Sequence, residues 1–276
     1  MTCDTLHVLT ARSIINLTNE QIGIGKNSMK RFEDKVIFLT GAATGIGEAT
    51  AKRMASEGAS LYIVDVAEEE LENTAEACRH LGAEVTARIC DVANEEDVSN
   101  SIKETINLFG RVNVVANIAG IQTWHHTSDH PTSDFERTLA VNLTGTFLVC
   151  REAIPYLLQT QGSIVNVSST TALAGIPYSA AYAASKAGVL ALTKSLAVEY
   201  AKKGLQVNCV NPGGIKTAMT RMPPIDDIDM DLLLRQNPLS SFVAPDAVAG
   251  LIAYLASDEG RHVNGEHVRI DGAALA

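Results

Sequence analysis

Hydrophobic positions along the chain fall into short unbroken blocks, separated by longer stretches in which apolar residues recur every three or four positions. The short blocks are Val36-Ile37-Phe38-Leu39, Leu61-Tyr62-Ile63-Val64, Val85 to Ile89, Val112 to Ile118, Ile164-Val165-Asn166-Val167, Gln206 to Val210 and His267 to Ile270. Rich in β-branched residues and bounded by polar residues or glycine, they read as strands. Between them, Ile46 to Glu57, Ala67 to about Leu81 and Glu95 to Phe109 read as helices closed by Gly58, Gly82 and Gly110. A long helix from about Ser133 to Leu158 follows, with Pro155 tightening its end, then helices over Ala181 to Lys202 and Pro245 to Ser257. Continuously apolar strands need cover on both faces, and intervening helices make the connections parallel and right-handed. The pattern therefore predicts a single α/β domain of the Rossmann type, a doubly wound parallel sheet of about seven strands with helices on both faces.

Residues 1–31 stand apart from this alternation. Weak periodicity followed by Gly23, Gly25, Asn27 and Ser28 reads as a flexible N-terminal extension ahead of a dehydrogenase-sized domain over 32–276. Two alternatives stand beside it: upstream translation with Met29 as the natural start, and a short amphipathic helix around Ser13 to Gln21. Near the other end, the long segment 217–242 carries Met219, Met222, Met230 and Leu232-Leu233-Leu234. Its place between the sixth strand and the last helix predicts a lid over substrate, and its apolar side chains suggest a hydrophobic, cyclic or steroid-like alcohol or ketone. Packing of a lid helix explains the same residues.

Composition narrows the function classes. With 46% apolar and 20% charged residues the chain can build a large core. A net charge of −10 argues against nucleic acid and anionic membranes as partners, and any anionic ligand must be held by local backbone dipoles. The five cysteines are scattered without CxxC spacing, which suits free thiols in a cytoplasmic protein. No apolar run reaches the roughly 18 residues of a transmembrane candidate, and no apolar leader with a cleavage site argues for secretion. The loop histidines His125, His126 and His130, beside Trp124, lack further ligands at metal spacing and read as solvated, so no metal is expected.

Two stretches carry chemistry. Thr40-Gly41-Ala42-Ala43-Thr44-Gly45-Ile46-Gly47 lies where the first strand turns into the first helix. Glycines there permit a tight reversal and a close approach of backbone to a pyrophosphate at a helix N-terminus. Asp65, at the end of the second strand, can accept both ribose hydroxyls of NAD and repel the 2′-phosphate of NADP. No Arg or Lys flanks it or occupies the glycine loop. Capping of the following helix is the competing role for Asp65. Asp91-Val92, after the third strand, can contact the adenine ring, with helix capping as an equal alternative. In the second stretch, Tyr182 and Lys186 lie one helical turn apart on one face. A free phenol has a pKa near ~10, and a neighbouring ammonium is expected to lower it into the range useful for proton exchange.

With these motifs, and with Asn117-Ile118-Ala119-Gly120, Asn142 in VNLTGTF, Ser168-Ser169 and Asn211-Pro212-Gly213-Gly214-Ile215-Lys216-Thr217, the chain resembles the short-chain dehydrogenase/reductase family over essentially all of residues 34–276. The resemblance implies Tyr182 as acid/base, Lys186 as its modulator and the holder of the nicotinamide ribose, and Ser169, thirteen residues before Tyr182, as the residue orienting the substrate oxygen. It implies Asn142 as support for a water linked to Lys186. Cofactor contacts are implied for Gly41, Thr44, Gly45, Ile46, Gly47, Asn117, Ala119, Gly120, Pro212, Ile215 and Thr217, the last reaching the carboxamide or a phosphate. Two departures are visible: Ile118 replaces the second Asn of the usual NNAG, and Asp271-Gly272-Ala273 replaces the usual glycine pair near the end. The expected activity is hydride transfer between NAD(H) and a secondary alcohol or ketone, by a homotetramer or homodimer. A 3-oxoacyl reductase of fatty-acid metabolism and a non-catalytic dinucleotide sensor are the alternatives. Asp65 argues against the first, and the joint presence of Asn142, Ser169, Tyr182 and Lys186 against the second.

Overall fold

Residues 30–220, 225–235, 237–239 and 241–276 are described by a computed structural model. The leader helix expected around Ser13 to Gln21, Met29, and Met222 to Pro224 of the 217–242 segment lie outside them. Seven parallel strands form one sheet: β1 (Val36–Thr40), β2 (Ser60–Asp65), β3 (Val85–Ile89), β4 (Val114–Asn117), β5 (Ser163–Val167), β6 (Gln206–Pro212) and β7 (His267–Ile270), in the order β3-β2-β1-β4-β5-β6-β7. Helices α1 (Gly45–Ser56), α2 (Glu68–His80) and α8 (Pro245–Ala256) cover one face. The other is covered by α3 (Glu95–Phe109), α5 (Gly145–Thr160) and α6 (Ala180–Tyr200). Two short helices complete the set, α4 (Thr132–Leu139) and α7 (Met230–Leu234).

The central strands show why unbroken apolar runs were needed. Along β1, Ile37 and Leu39 join the core under α1 and α8, while Phe38 between them joins the core under α3 and α5. All three are fully buried, and burying each such side chain contributes roughly 1.5–3 kcal/mol. The edge strand β3 is only half buried, with Ile89 exposed. At the domain's entry Phe32 is in the core and Arg31 pairs with the buried Glu57 at 2.6 Å.

Strand order reverses at β1 and β4, so the crossovers leave to opposite faces and open a crevice at the strand ends. Fourth-strand pairing spans Val114–Asn117 rather than Val112 to Ile118. Its upper end is cut short because Ile118 and Ala119 turn their N–H groups onto Thr40 Oγ1, at 3.1 and 3.2 Å. The helix expected over 133–158 is divided into α4, a π-turn over Ala140–Thr144, and α5. One extra residue per turn only shifts the phase of an apolar pattern, so the break leaves little mark in the sequence. Pro155 does not end α5, which continues to Thr160.

Candidate active site

At the crevice, two glycines adopt left-handed backbone: Gly41 (φ 69°) and Gly45 (φ 61°). A Cβ on Gly41 would stand 2.6 Å from the Ala119 nitrogen, and one on Gly47 only 1.8 Å from the Gly41 oxygen. Helix α1 is thus packed directly onto the turn. Thr44 occupies its cap position without a side-chain cap, which leaves the first N–H groups of α1 for a ligand. Ile46 packs against the core beneath.

Asp65 Oδ2 accepts from Ala43 N at 3.0 Å, and Oδ1 from Val66 N and Ala67 N at 2.7 and 3.2 Å. Helix α2 begins at Glu68 with Ala67 at its cap, so Asp65 braces the glycine loop and is not the cap of that helix. Asp91 is engaged differently: one oxygen accepts from Ala93 N at 3.0 Å and the other pairs with Arg137 at 2.9 Å. Helix α3 is capped by Asn94, not Asp91. The Val92 side chain is buried against Gly145 and does not open to the crevice. Asn117 donates to Asn166 Oδ1 at 2.8 Å, tying β4 to β5.

Beside this loop lies the group drawn from β5, the π-turn and α6. The two serines diverge in their bonds. Ser168 Oγ donates to the Lys186 carbonyl at 2.7 Å, whereas Ser169 Oγ accepts from Thr171 N at 3.2 Å and lies beside the Tyr182 phenol. Burial pushes the Tyr182 phenol up to about 12, with the Ser169 hydrogen bond opposing. Lys186 Nζ donates to the Val167 carbonyl at 2.8 Å and stands 5.6 Å from the Tyr182 ring centroid. Burial pushes its ammonium down to about 8. The lowering of the phenol expected from the neighbouring ammonium does not appear: burial dominates, and the Ser169 hydroxyl is what works against it.

Asn142 is fully buried, and the π-turn aims it inward: its Oδ1 accepts from Ile121 N at 2.8 Å and its Nδ2 donates to Ile121 O at 2.9 Å. A Cβ on Gly120 would lie 3.2 Å from Lys186 Nζ and 3.3 Å from Asn142 Oδ1, so a side chain there would press both groups back by a few tenths of an ångström. Pro212 ends β6, Ile215 is buried and bridges to Val243, and Thr217 Cγ2 sits 3.2 Å from the Cβ position of Gly45. Thr217 and Gly45 also line a cleft of about 750 Å³ with Glu48, Lys52, Lys216 and Phe242.

The histidines are partly exposed, and each also has a fixed neighbour. His125 Nε2 pairs with Asp134 at 3.0 Å, and His126 Nε2 bonds the Asp226 carbonyl at 3.0 Å. His130 lies tilted against the His125 ring and meets Phe135 edge-on, both its ring nitrogens are buried without partners, and burial with the nearby His125 lowers its pKa. No group of three or more metal-ligating side chains occurs among the described residues. Tyr178, at φ 62°, accepts from Asp229 N at 2.9 Å and meets the His126 ring edge-on. These contacts fasten segment 225–235 to the loop after β4. Sequence reasoning missed Thr40, Tyr178 and Ser185. Of these, only Thr40 had a signal, its place at the head of the glycine motif.

Residues 41–273 match a family described as Enoyl-(Acyl carrier protein) reductase. The chain is 37% identical over 246 residues to 3-oxoacyl-[acyl-carrier-protein] reductase FabG of Thermotoga maritima, covering 89% of this chain and 99% of that protein. It is 38% identical over 250 residues to 2-(R)-hydroxypropyl-CoM dehydrogenase of Xanthobacter autotrophicus, covering 88% and 99%. Among solved structures, a short chain dehydrogenase from Mycobacterium paratuberculosis bound to NAD superimposes with a TM-score of 0.83 at 27% identity, covering 88% of this chain and 98% of that one.

Proposed function

We propose that this chain, which belongs to the short-chain dehydrogenase/reductase family of oxidoreductases, interconverts a secondary alcohol and a ketone with NAD(H) as cofactor, Tyr182 acting as the acid/base. The observation that carries the reading is the convergence of Tyr182, Ser169, Lys186 and Asn142, all buried, beside the glycine loop at the β1/β4 crevice. Members of the family bind a nicotinamide dinucleotide, and the residues present suit one. Gly41, Gly45, Gly47 and Gly120 leave a cradle that a Cβ would close or distort, the α1 N-terminus offers N–H groups to a pyrophosphate, and Asp65 offers lone pairs to ribose hydroxyls. The choice of NAD over NADP rests on Asp65. Asp91, Asn117, Ala119, Pro212, Ile215 and Thr217 complete the proposed cofactor wall, with Val92 contributing through its backbone.

When bound, the nicotinamide ring supplies the hydride donor or acceptor. The chain's own residues then handle the proton. Ser169 Oγ holds the substrate oxygen, and Tyr182 Oη gives it a proton in reduction or takes one in oxidation. With its pKa near 12, Tyr182 is a neutral phenol at pH 7, the form that protonates a ketone oxygen. Lys186, near 8, is mostly cationic there and stabilises the phenolate left behind. Exposed Met230, Leu232 and Leu234 on the segment held by Tyr178, with exposed Met219 before it, support the role of 217–242 as a lid and favour an apolar alcohol or ketone. Exposed Phe147 on α5 and Val198 on α6 support a homodimer or homotetramer, and the free thiols among the described residues favour the cytoplasm.

A panel of cyclic and linear secondary alcohols with NAD, each repeated on Tyr182→Phe, tests the reading. Turnover with NAD that falls at least about a thousandfold in the variant is expected. Undiminished turnover in Tyr182→Phe overturns the mechanism. The second reading, reduction of a 3-oxoacyl thioester, is favoured by the Thermotoga relative, and acetoacetyl-CoA with NADPH as the better substrate pair would establish it.

A further inference from the structure

One buried hydroxyl beside the proposed reaction centre has no role among those four residues. Ser185 is wholly buried on α6, three residues after Tyr182 and one before Lys186. Its Oγ accepts from Asn142 Nδ2 at 2.9 Å and donates to the Tyr182 carbonyl at 2.7 Å. Helix α6 has no need of that second bond, because a mid-helix serine bonding back to its own backbone is less favourable than alanine. What the hydroxyl supplies uniquely is an acceptor for Asn142.

Asn142 depends on it. Both Nδ2 hydrogens are used, on Ile121 O and Ser185 Oγ, and Oδ1 accepts from Ile121 N. One Oδ1 lone pair remains. Lys186 Nζ gives one hydrogen to Val167 O and keeps two. Both unused capacities meet over Gly120, where a Cβ would be 3.3 Å from Oδ1 and 3.2 Å from Nζ. We propose that Ser185 is a positioning residue of the reaction centre: its hydroxyl locks the Asn142 amide of the π-turn onto the Tyr182–Lys186 turn of α6 and so fixes the polar surroundings of the lysine. This rests on the oxidoreductase reading of the site. Removing the hydroxyl leaves a fully buried Nδ2–H without a partner, and the amide moves to find one.

The test is a double-mutant cycle with Ser185→Ala and Asn142→Ala in the full chain, read in two ways. The first needs no substrate: hydrogen exchange at the Ile121 amide, whose N–H bonds Asn142 Oδ1. Exchange about tenfold faster in Ser185→Ala is expected, with no further rise when Ser185→Ala is added to Asn142→Ala. The second uses the fastest substrate of the alcohol panel. There kcat falls roughly tenfold in Ser185→Ala while KM for NAD stays within about twofold, and the double variant is no slower than Asn142→Ala alone. Ser185→Cys, similar in size but a weak acceptor, should lie between wild type and alanine, and it carries the same cycle if the alanine variant does not fold. Unchanged Ile121 exchange, or effects that multiply in the double variant, overturn the proposal. Turnover that survives Tyr182→Phe instead overturns the reading beneath it, while the exchange result still decides whether the lock exists.

Discussion

Asp65→Ala separates the brace that this carboxylate makes at the end of β2 from the cofactor contact proposed for it. Its oxygen on the Ala43 N–H reaches a residue only 5% exposed, so that donor is left unpaired and shut from water. An unpaired buried N–H costs about 1–3 kcal/mol. By contrast Val66, 63% exposed, finds water in place of the carboxylate at little cost. Stability should therefore fall by about 1–3 kcal/mol, a drop in Tm of roughly 2–10 °C for a domain of this size. Cofactor affinity should fall separately. Losing a charged acceptor for two ribose hydroxyls, partly replaced by water, leaves about 1.4–2.8 kcal/mol, or about 10–100-fold in the Kd of NADH. NADPH should bind no worse, because the charge that repels its 2′-phosphate is gone. Thermal melting and fluorescence titration with both reduced cofactors measure the three quantities. A fall in Tm with an unchanged ratio of NADH to NADPH affinity would leave Asp65 as a brace alone and remove the argument for NAD.

Two more outcomes are expected. Tyr178→Phe takes the acceptor from Asp229 N, loosening segment 225–235 from the loop that precedes α6. A KM for the alcohol about 2–10-fold higher should result, with faster proteolytic cleavage within 217–242 and the KM for NAD unchanged. Stability should also fall as pH rises from about 9 to 11. Burial holds the thiols of Cys78, Cys90 and Cys209 near 11 and that of Cys150 near 12, so unfolding releases protons that the fold retains. Each thiol contributes up to roughly 2–3 kcal/mol, present in full below pH 9 and lost through that window. Replacing Cys78 and Cys90 by alanine should flatten the slope, as measured by denaturant unfolding under reductant. An unchanged slope would refute the assignment.

How the chain folds was largely written along it. Seven apolar blocks separated by glycine-terminated periodic stretches admit little besides a doubly wound parallel sheet, because strands buried on both faces need helices on both sides. Gly41, Gly45 and Gly47, with Asp65 eighteen residues on, marked the tight turn at the head of α1 for the same local reason: tight turns and close approaches demand particular residues at particular spacings. Spacing along one helix likewise put Tyr182 and Lys186 on a single face.

Other features depended on contacts between elements distant in sequence. The π-turn that aims Asn142 at Ile121 is one extra residue in a turn, and an apolar pattern cannot register it. The Tyr182 phenol is raised, not lowered, because burial in the assembled crevice disfavours the phenolate. Two of the loop histidines, expected to be solvated, also bond Asp134 and the Asp226 backbone, partners distant in the chain or on another element. Above all, Ser185 reads as an ordinary helix residue until α6 meets the π-turn, where its hydroxyl becomes the partner of Asn142. Sequence spacing determines which residues share a face; only packing decides what that face meets, and with it each group's hydrogen bonds, burial and charge.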